Sequence, residues 1–348
     1  MGPIKKILIV INILVIIATL LVYLTSYFVP EKMWIFSTLG LVYPMLFFSN
    51  CIFIVFWLFN EVRWMIPSVL CVVLGWTYTT GFIGLNSDGK DIKSHDISIL
   101  SYNTHFFAGL TTKGTDNTLY DVMDYMMTSA KPRIICLQEF NMKHKDILLQ
   151  KFEGYKFIDI DNKRTAIVTN YPVIDEGEID FGTRTNSCVW ADLIIESDTV
   201  RVYSFHLQSN NITKVADKML DNIDLQEKST WNEARTILSK YRSTAVIRAQ
   251  QAAMIKEHAE KTGYNIILAG DMNEPPSSFT YHKMKEGLKD AFRERASGIG
   301  STYAGRIPFL RIDYILTDNS YDVIQYHTHS VNYSDHYPIS AILRSDNP

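Results

Sequence analysis

The stretch NIILAGDMNEPPSS, residues 265–278, closes an apolar run by presenting Asp271 and Asn273 before Pro275 and Pro276 stop it. Residues i and i+2 of an extended segment point the same way. Asp271 and Asn273 therefore reach into one pocket, and Met272 turns back toward the core. A carboxylate and an amide so placed can deprotonate a water and donate hydrogen bonds to an oxyanion. Taken alone, the same pattern is also an ordinary polar loop after a strand. Other apolar runs end alike: Ile97–Leu100 leads to Tyr102 and Asn103, Ile134–Leu137 to Gln138 and Glu139, and Val202–Phe205 to His206. Asp313 sits in RIDYIL, and Asp335 and His336 sit in YSDHYPIS. Each has a plain structural explanation by itself. Together they describe carboxylates, histidines and amides gathered where strands end, which is where open α/β sheets place ligands. Carboxylates so gathered repel one another unless a cation neutralises them. A hard divalent ion such as Mg²⁺ takes oxygen ligands.

The elements that would position these groups are short apolar runs spaced by helical patterns. Strands are expected at Ile97–Asn103, Arg133–Gln138, Thr165–Thr169, Cys188–Ile195, Val200–His206, Asn265–Ala269, Ile312–Leu316 and Ile339–Leu343. A helix is expected over Leu119–Ser129, with Leu119, Val122, Met123 and Met126 as its apolar stripe. The longest interruption, 207–262, reads as a helix through Ala245–Lys261, preceded by a polar half with one or two short helices. Such an insertion serves as a lid or substrate-binding element, or is a surface excursion.

Three runs carry no charge: residues 7–29, 33–60 and 64–85. Each reaches the roughly 20-residue length of a membrane helix. The reading is an anchor of three transmembrane helices over 1–85, a polar linker over 86–96 and a catalytic domain over 97–348. A signal peptide is the alternative for the first run, but no small-residue cleavage site follows it. Lys5, Lys6 and Arg63 mark a cytoplasmic side and place the catalytic domain outside the cytoplasm, at an inner or plasma membrane. The net charge is −3, and the part after the anchor is mildly acidic. A tight general DNA binder carries a basic surface instead. Cys136 and Cys188, inside expected strands, read as buried free thiols.

The ordered series Asn103, Gln138-Glu139, His206, Gly270-Asp271-Met272-Asn273, Arg311-Ile312-Asp313-Tyr314 and Ser334-Asp335-His336 resembles the endonuclease/exonuclease/phosphatase superfamily. That superfamily includes pancreatic-type deoxyribonucleases, abasic-site endonucleases, neutral sphingomyelinases and inositol polyphosphate 5-phosphatases. The resemblance spans residues 95–345. It implies a four-layer α/β sandwich of two mainly antiparallel sheets and metal-dependent, in-line hydrolysis of a phosphoester. Under it, Glu139 is the leading metal ligand, supported by Asn103. Asp335 is a second ligand or holds the geometry from behind. Mg²⁺ is the implied cation, with Mn²⁺ as the alternative. Asp271 orients and deprotonates the attacking water, and Asn273 donates to the phosphoryl group. His336, oriented by Asp313, contacts phosphate, and His206 binds phosphate or protonates the leaving oxygen. One position departs from the pattern: His105 stands where some members carry an acid.

The substrate is less legible. Tethering favours phosphoesters within reach of the bilayer, such as phospholipid or sphingolipid head groups. Trp231 in the insertion is a candidate lipid contact. A tethered nuclease acting on extracytoplasmic nucleic acid is the second reading, with Arg242 and Arg248 the nearest thing to a basic patch. A non-catalytic membrane scaffold on the same fold is the third.

Overall fold

Alternating apolar residues fix the sheets first. The computed structural model describes residues 2–33, 38–86, 89–107, 119–129, 131–160, 164–183, 185–210, 228–305, 307 and 309–346. Four helices come first: α1 (Pro3–Tyr23), α2 (Tyr43–Leu58), α3 (Met65–Leu74) and α4 (Trp76–Phe82). Strands β1 (Ile83–Leu85) and β2 (Ile97–Asn103) follow, then α5 (Leu119–Ser129), β3 (Ile134–Gln138) and α6 (Lys145–Lys151). Next are β4 (Lys156–Ile158), β5 (Ala166–Thr169), β6 (Val173–Ile179), β7 (Ser187–Ile195) and β8 (Asp198–His206). The chain closes with α7 (Lys228–Glu260), β9 (Asn265–Asp271), α8 (Phe279–Lys285), β10 (Leu288–Asp290), α9 (Ala291–Arg295), β11 (Ser297–Ile299), β12 (Asp313–Asp318), β13 (Tyr321–Thr328) and β14 (Ile339–Ser345).

Two six-stranded sheets result, in the orders β10-β12-β9-β8-β7-β6 and β13-β14-β2-β3-β5-β4. They are mainly antiparallel, and β2–β3 and β8–β9 are parallel pairs. Each central strand is apolar on both faces, so it must be covered on both. In β2, Ile97 and Ile99 join Ile134, Cys136, Val202, Ile267 and Ile315 between the sheets. Leu100 and Tyr102 point the other way, onto Val122, Met123 and Met126 of α5. In β9, Ile267 and Ala269 face inward while Ile266 and Leu268 lie under Ala252, Ile255 and Ala259 of α7. The layers are therefore helix, sheet, sheet, helix, as the resemblance implied. Cys136 and Cys188 are buried and free.

Two expectations need correction. The insertion is not a polar half followed by a helix from Ala245: from Lys228 onward it is one helix of 33 residues. Its earlier part, 211–227, lies outside the described residues. The third charge-free run is not one straight span. It is two helices, Val62–Leu74 and Trp76–Phe82, bent by 68°. The first two runs do form helices long and apolar enough to cross a membrane.

The helical bundle buries polar contacts among aromatic and apolar residues and is apolar outside. Asn12 donates to Ser68 at 2.8 Å and accepts from Trp57 Nε1 at 2.9 Å. Asn50 donates to Thr19 at 2.9 Å. Ile4, Ile7, Leu14, Ile52, Leu70 and Leu74 are exposed. Water-soluble bundles are built the other way round, and buried polar contacts between helices are a device of lipid-embedded ones.

The bundle docks on the sandwich at one end. The Thr25 hydroxyl donates to the Ser277 carbonyl, and Ser277 Oγ donates to the Gly40 carbonyl at 2.8 Å. Arg311 Nε donates to the Gly81 carbonyl at 2.8 Å. A Cβ on Gly81 would come 2.8 Å from Pro276 Cβ, so the close approach there needs glycine. β1 pairs with β11, and Asn86 continues the contact by bonding the Ala296 carbonyl at 3.1 Å. Within the stretch expected to be a linker, Lys90 also meets the domain, its N–H donating to the Ile324 carbonyl at 3.2 Å.

Candidate active site

Strand register brings the polar residues together. The parallel β8–β9 pair sets His206 opposite Asp271, and the antiparallel β9–β12 pair sets Asp313 opposite Asp271. β2 and β3 set Asn103 beside Gln138 in the facing sheet. Asp271 is consequently approached from the two neighbouring strands and from across the sandwich. Gly270 makes this possible, because a Cβ there would meet the Phe205 carbonyl oxygen at 2.0 Å.

Asp271 is buried at 1% exposure yet well supplied with donors. Asn103 Nδ2 donates to its Oδ2 at 2.9 Å, and the Asn273 backbone N–H donates to its Oδ1 at 2.8 Å. Burial pushes its carboxyl up to about 6, against the pull of nearby His336 and His206. The Asn273 side chain is not aimed outward as the sequence implied. Its amide donates to Asp271 Oδ2 and to the Leu207 carbonyl, both at 3.1 Å. Asn273 therefore steadies the carboxylate in this arrangement.

Two histidines flank Asp271. His336 Nδ1 bonds Asp313 Oδ2 at 2.9 Å, and its Nε2 lies 3.8 Å from Asp271 Oδ2. Burial pulls His336 down, but Asp313 and Asp271 more than reverse this and raise it to about 10. His206 Nε2 stands 3.6 Å from Glu139 and 3.7 Å from Asp271. It is buried and has no hydrogen-bond partner. Asn186, which the sequence reading passed over, places its amide nitrogen 3.5 Å from His206 Nδ1.

Glu139 and Asp335 line the open side of the same cavity, of about 530 Å³. His105 lies between them, 2.9 Å from Asp335 and 3.9 Å from Glu139. The hydrogen bond to Asp335 raises His105. Burial works against Asp335, yet His105 and His336 hold it below the usual carboxylate range. The Asn103 side-chain oxygen accepts the His105 N–H at 3.1 Å. Oxygen donors on Asn103, Glu139 and Asp335, gathered on one side of the cavity, fit a hard divalent cation. Asp271, Asp313 and His336 also lie within 4.8 Å of one another. Those three are buried, whereas the Glu139 and Asp335 side chains are 19% and 34% exposed and leave room for the waters a hard cation keeps, so the open-sided group is the better cation site.

Of the nine non-glycine residues with positive φ among the described ones, His105, Phe106, Phe107, Glu139, Arg164 and Asn273 belong to this region. Backbone strain of this kind persists where surrounding structure over-determines it, and it clusters at functional sites. Every site residue expected from sequence lies at or beside this cavity. Phe106, Arg164 and Asn186 are additions for which the sequence offered no motif. Arg248 is not part of a basic patch: it is buried and paired with Glu274 at 2.8 Å. Trp231 is exposed at 59% on α7.

The model of the Endonuclease/Exonuclease/phosphatase family matches residues 100–336. The chain belongs to this family. Its members are metal-dependent phosphoesterases. A second model, described as "Domain of unknown function (DUF8431)", matches residues 5–82, the helical bundle. An endonuclease/exonuclease/phosphatase family protein from Bacteroides thetaiotaomicron is similar in structure, with a TM-score of 0.54 at 16% identity over 71% of this chain and 97% of its own. A mannosyl-6-phosphatase of the same organism gives 0.54 at 16% over 71% and 99%. A humanized D. rerio TDP2 gives 0.53 at 16% over 72% and 100%. At such identities the likeness shows the fold. No curated protein matches the sequence.

Proposed function

We propose that this family member is a membrane-anchored phosphoester hydrolase that uses Mg²⁺, with Mn²⁺ as a substitute, and acts on phospholipid or sphingolipid head groups. The observation that carries the reading is the Asp271 carboxylate: buried, steadied by Asn103 and Asn273, and flanked by His206 and His336 on the wall of one cavity. Asp271 takes the proton of the attacking water. His336, charged beside Asp313, binds a phosphoryl oxygen. His206, whose Nε2 faces Glu139 and Asp271, donates a proton to the leaving oxygen as the phosphorus–oxygen bond breaks. Asn273 and Asn103 keep Asp271 aimed. Glu139 and Asp335, with Asn103, would hold the cation. When bound, it supplies charge neutralisation at a phosphate oxygen and at the departing oxygen.

The lipid part of the reading rests on the bundle, with its buried polar contacts and apolar surface. Contacts between helices rank residues by depth: Tyr23 meets Tyr43 and Tyr78, whereas Asn12 meets Trp57 and Ser68. The N-terminus and the Arg63 turn therefore lie at the end remote from the catalytic domain. Lys5, Lys6 and Arg63 at that end support a cytoplasmic N-terminus and an extracytoplasmic domain.

The test is a substrate panel with Mg²⁺ on full-length protein in detergent, beside Asp271→Asn. The panel holds a phosphocholine sphingolipid, a glycerophospholipid, a phosphoinositide and single- and double-stranded DNA. Lipid turnover that falls by about 10²–10⁴ in the variant supports the reading. Turnover of DNA alone makes the protein a tethered nuclease, and no turnover at all leaves a scaffold. Glu139→Gln should weaken Mg²⁺ binding, read by calorimetry, with the thermal midpoint unchanged. An unaltered metal titration would remove Glu139 from the ligand set.

A further inference from the structure

Arg164 has no role in the chemistry above, yet it lines the same cavity as Glu139, His206, Asp271 and His336. Its backbone carbonyl accepts the Phe140 N–H at 2.9 Å, which ties it to the residue after Glu139. Its φ is 68°, a left-handed conformation that a side-chain-bearing residue adopts only under constraint. The guanidinium lies 4.6 Å from the centroid of the Phe106 ring. Phe106 is constrained too, with φ 55°, and its N–H bonds the Glu139 carbonyl at 2.9 Å. Arg164 and Phe106 are thus both hung on the backbone at Glu139 and Phe140. Their position relative to the reacting centre is set by the strand that carries the acid.

An arginine stacked on a ring keeps its planar N–H donors free at the edges. Asp335 is engaged with His105, Asp313 with His336, and Asp271 with Asn103 and Asn273, while Glu139 stands nearest His206 and is the proposed ligand of the cation. Among the described residues Arg164 forms no ion pair. It is exposed, in a domain whose average charge is acidic. A fixed, unneutralised guanidinium beside a phosphoester site recognises a second anion. The face of Phe106 that it covers is not offered to a nucleobase.

We infer that Arg164, braced by Phe106, is an anion subsite for a phosphate group carried next to the one that is cut. The substrate class is then a head group bearing two phosphates. This rests on the phosphoester reading above and narrows it.

The direct test needs no turnover. Binding of methylenediphosphonate and of methylphosphonate to the full-length protein is measured by calorimetry with Mg²⁺, for wild type, Arg164→Ala and Arg164→Lys. Arg164→Ala should weaken the diphosphonate about tenfold and the monophosphonate less than twofold, with Arg164→Lys between. Equal losses for the two ligands, or none, overturn the subsite. Because Arg164 is exposed, an unchanged thermal midpoint is expected in both variants.

Turnover then separates the sources of the second phosphate. With a phosphoinositide bearing a ring phosphate, Arg164→Ala should raise KM about tenfold and leave kcat unchanged. With phosphatidylinositol itself, neither should move. A KM effect confined to a single-stranded oligonucleotide overturns the head-group assignment. If no phosphoester is turned over, the phosphoester reading fails while the diphosphonate result still decides the subsite.

Discussion

A carboxylate that a fold buries at 1% exposure and surrounds with donors is held there against its solvation. Burial raises Asp271 to about 6, so its charged form is disfavoured in the folded chain. Asp271→Asn should therefore cost activity and return stability: the thermal midpoint of the metal-free variant should rise by a few degrees. A fall would mean that its hydrogen bonds outweigh the burial. This residue was legible from sequence because Gly-Asp-x-Asn is a local pattern whose geometry follows from strand periodicity. The direction of the Asn273 amide was not, since it depends on the Leu207 carbonyl, 66 residues away. Arg164 was invisible for the same reason. Nothing in KRTAIV says that Phe106 will lie beneath it.

At the scale of elements, the central strands were legible because they are apolar on both faces. The edge strands were not. β6, VIDEGEI, is charged and half exposed, as an edge that avoids further pairing must be. β4, β10 and β11 have three residues each, too few to show a period. One element contact has a pH signature. His329, at the end of β13, bonds Tyr125 of α5 at 3.0 Å and Ser340 of β14 at 2.7 Å. Burial lowers it to about 4, with His327 adding to the effect. Unfolded, it titrates near 6.5. Between about 4 and 6.5 the unfolded chain binds the extra proton, so stability is full above that window and is lost as pH falls through it. Denaturation midpoints at pH 7 and pH 5 should differ by less in His329→Asn than in wild type. An equal difference would place the acid sensitivity elsewhere.

At the scale of the whole molecule, bundle and sandwich share an interface that composition could not announce. The charge-free runs raised the expectation of a membrane segment, but Thr25, Gly40 and Gly81 carry no sign that they will meet Ser277 and Arg311. The loop they hold, through Ser277, is the one that carries Asn273. Gly81→Val, which drives a Cβ toward Pro276, should lower kcat several-fold in the full chain with KM little changed. If kcat is unaffected while the thermal midpoint falls, the docking is structural only. A C-terminal reporter that works only in the cytoplasm should stay silent; a strong signal would invert the topology.

Three helix ends grip the sandwich where a single flexible leash would have sufficed, at Thr25, at Gly40 and at Gly81. A leashed enzyme sweeps a hemisphere and can reach a neighbouring vesicle. With the bundle set in a bilayer, as proposed above, this one would stand like a fixed post: its cavity would keep one altitude above that bilayer, and its customers would be the molecules of that same sheet.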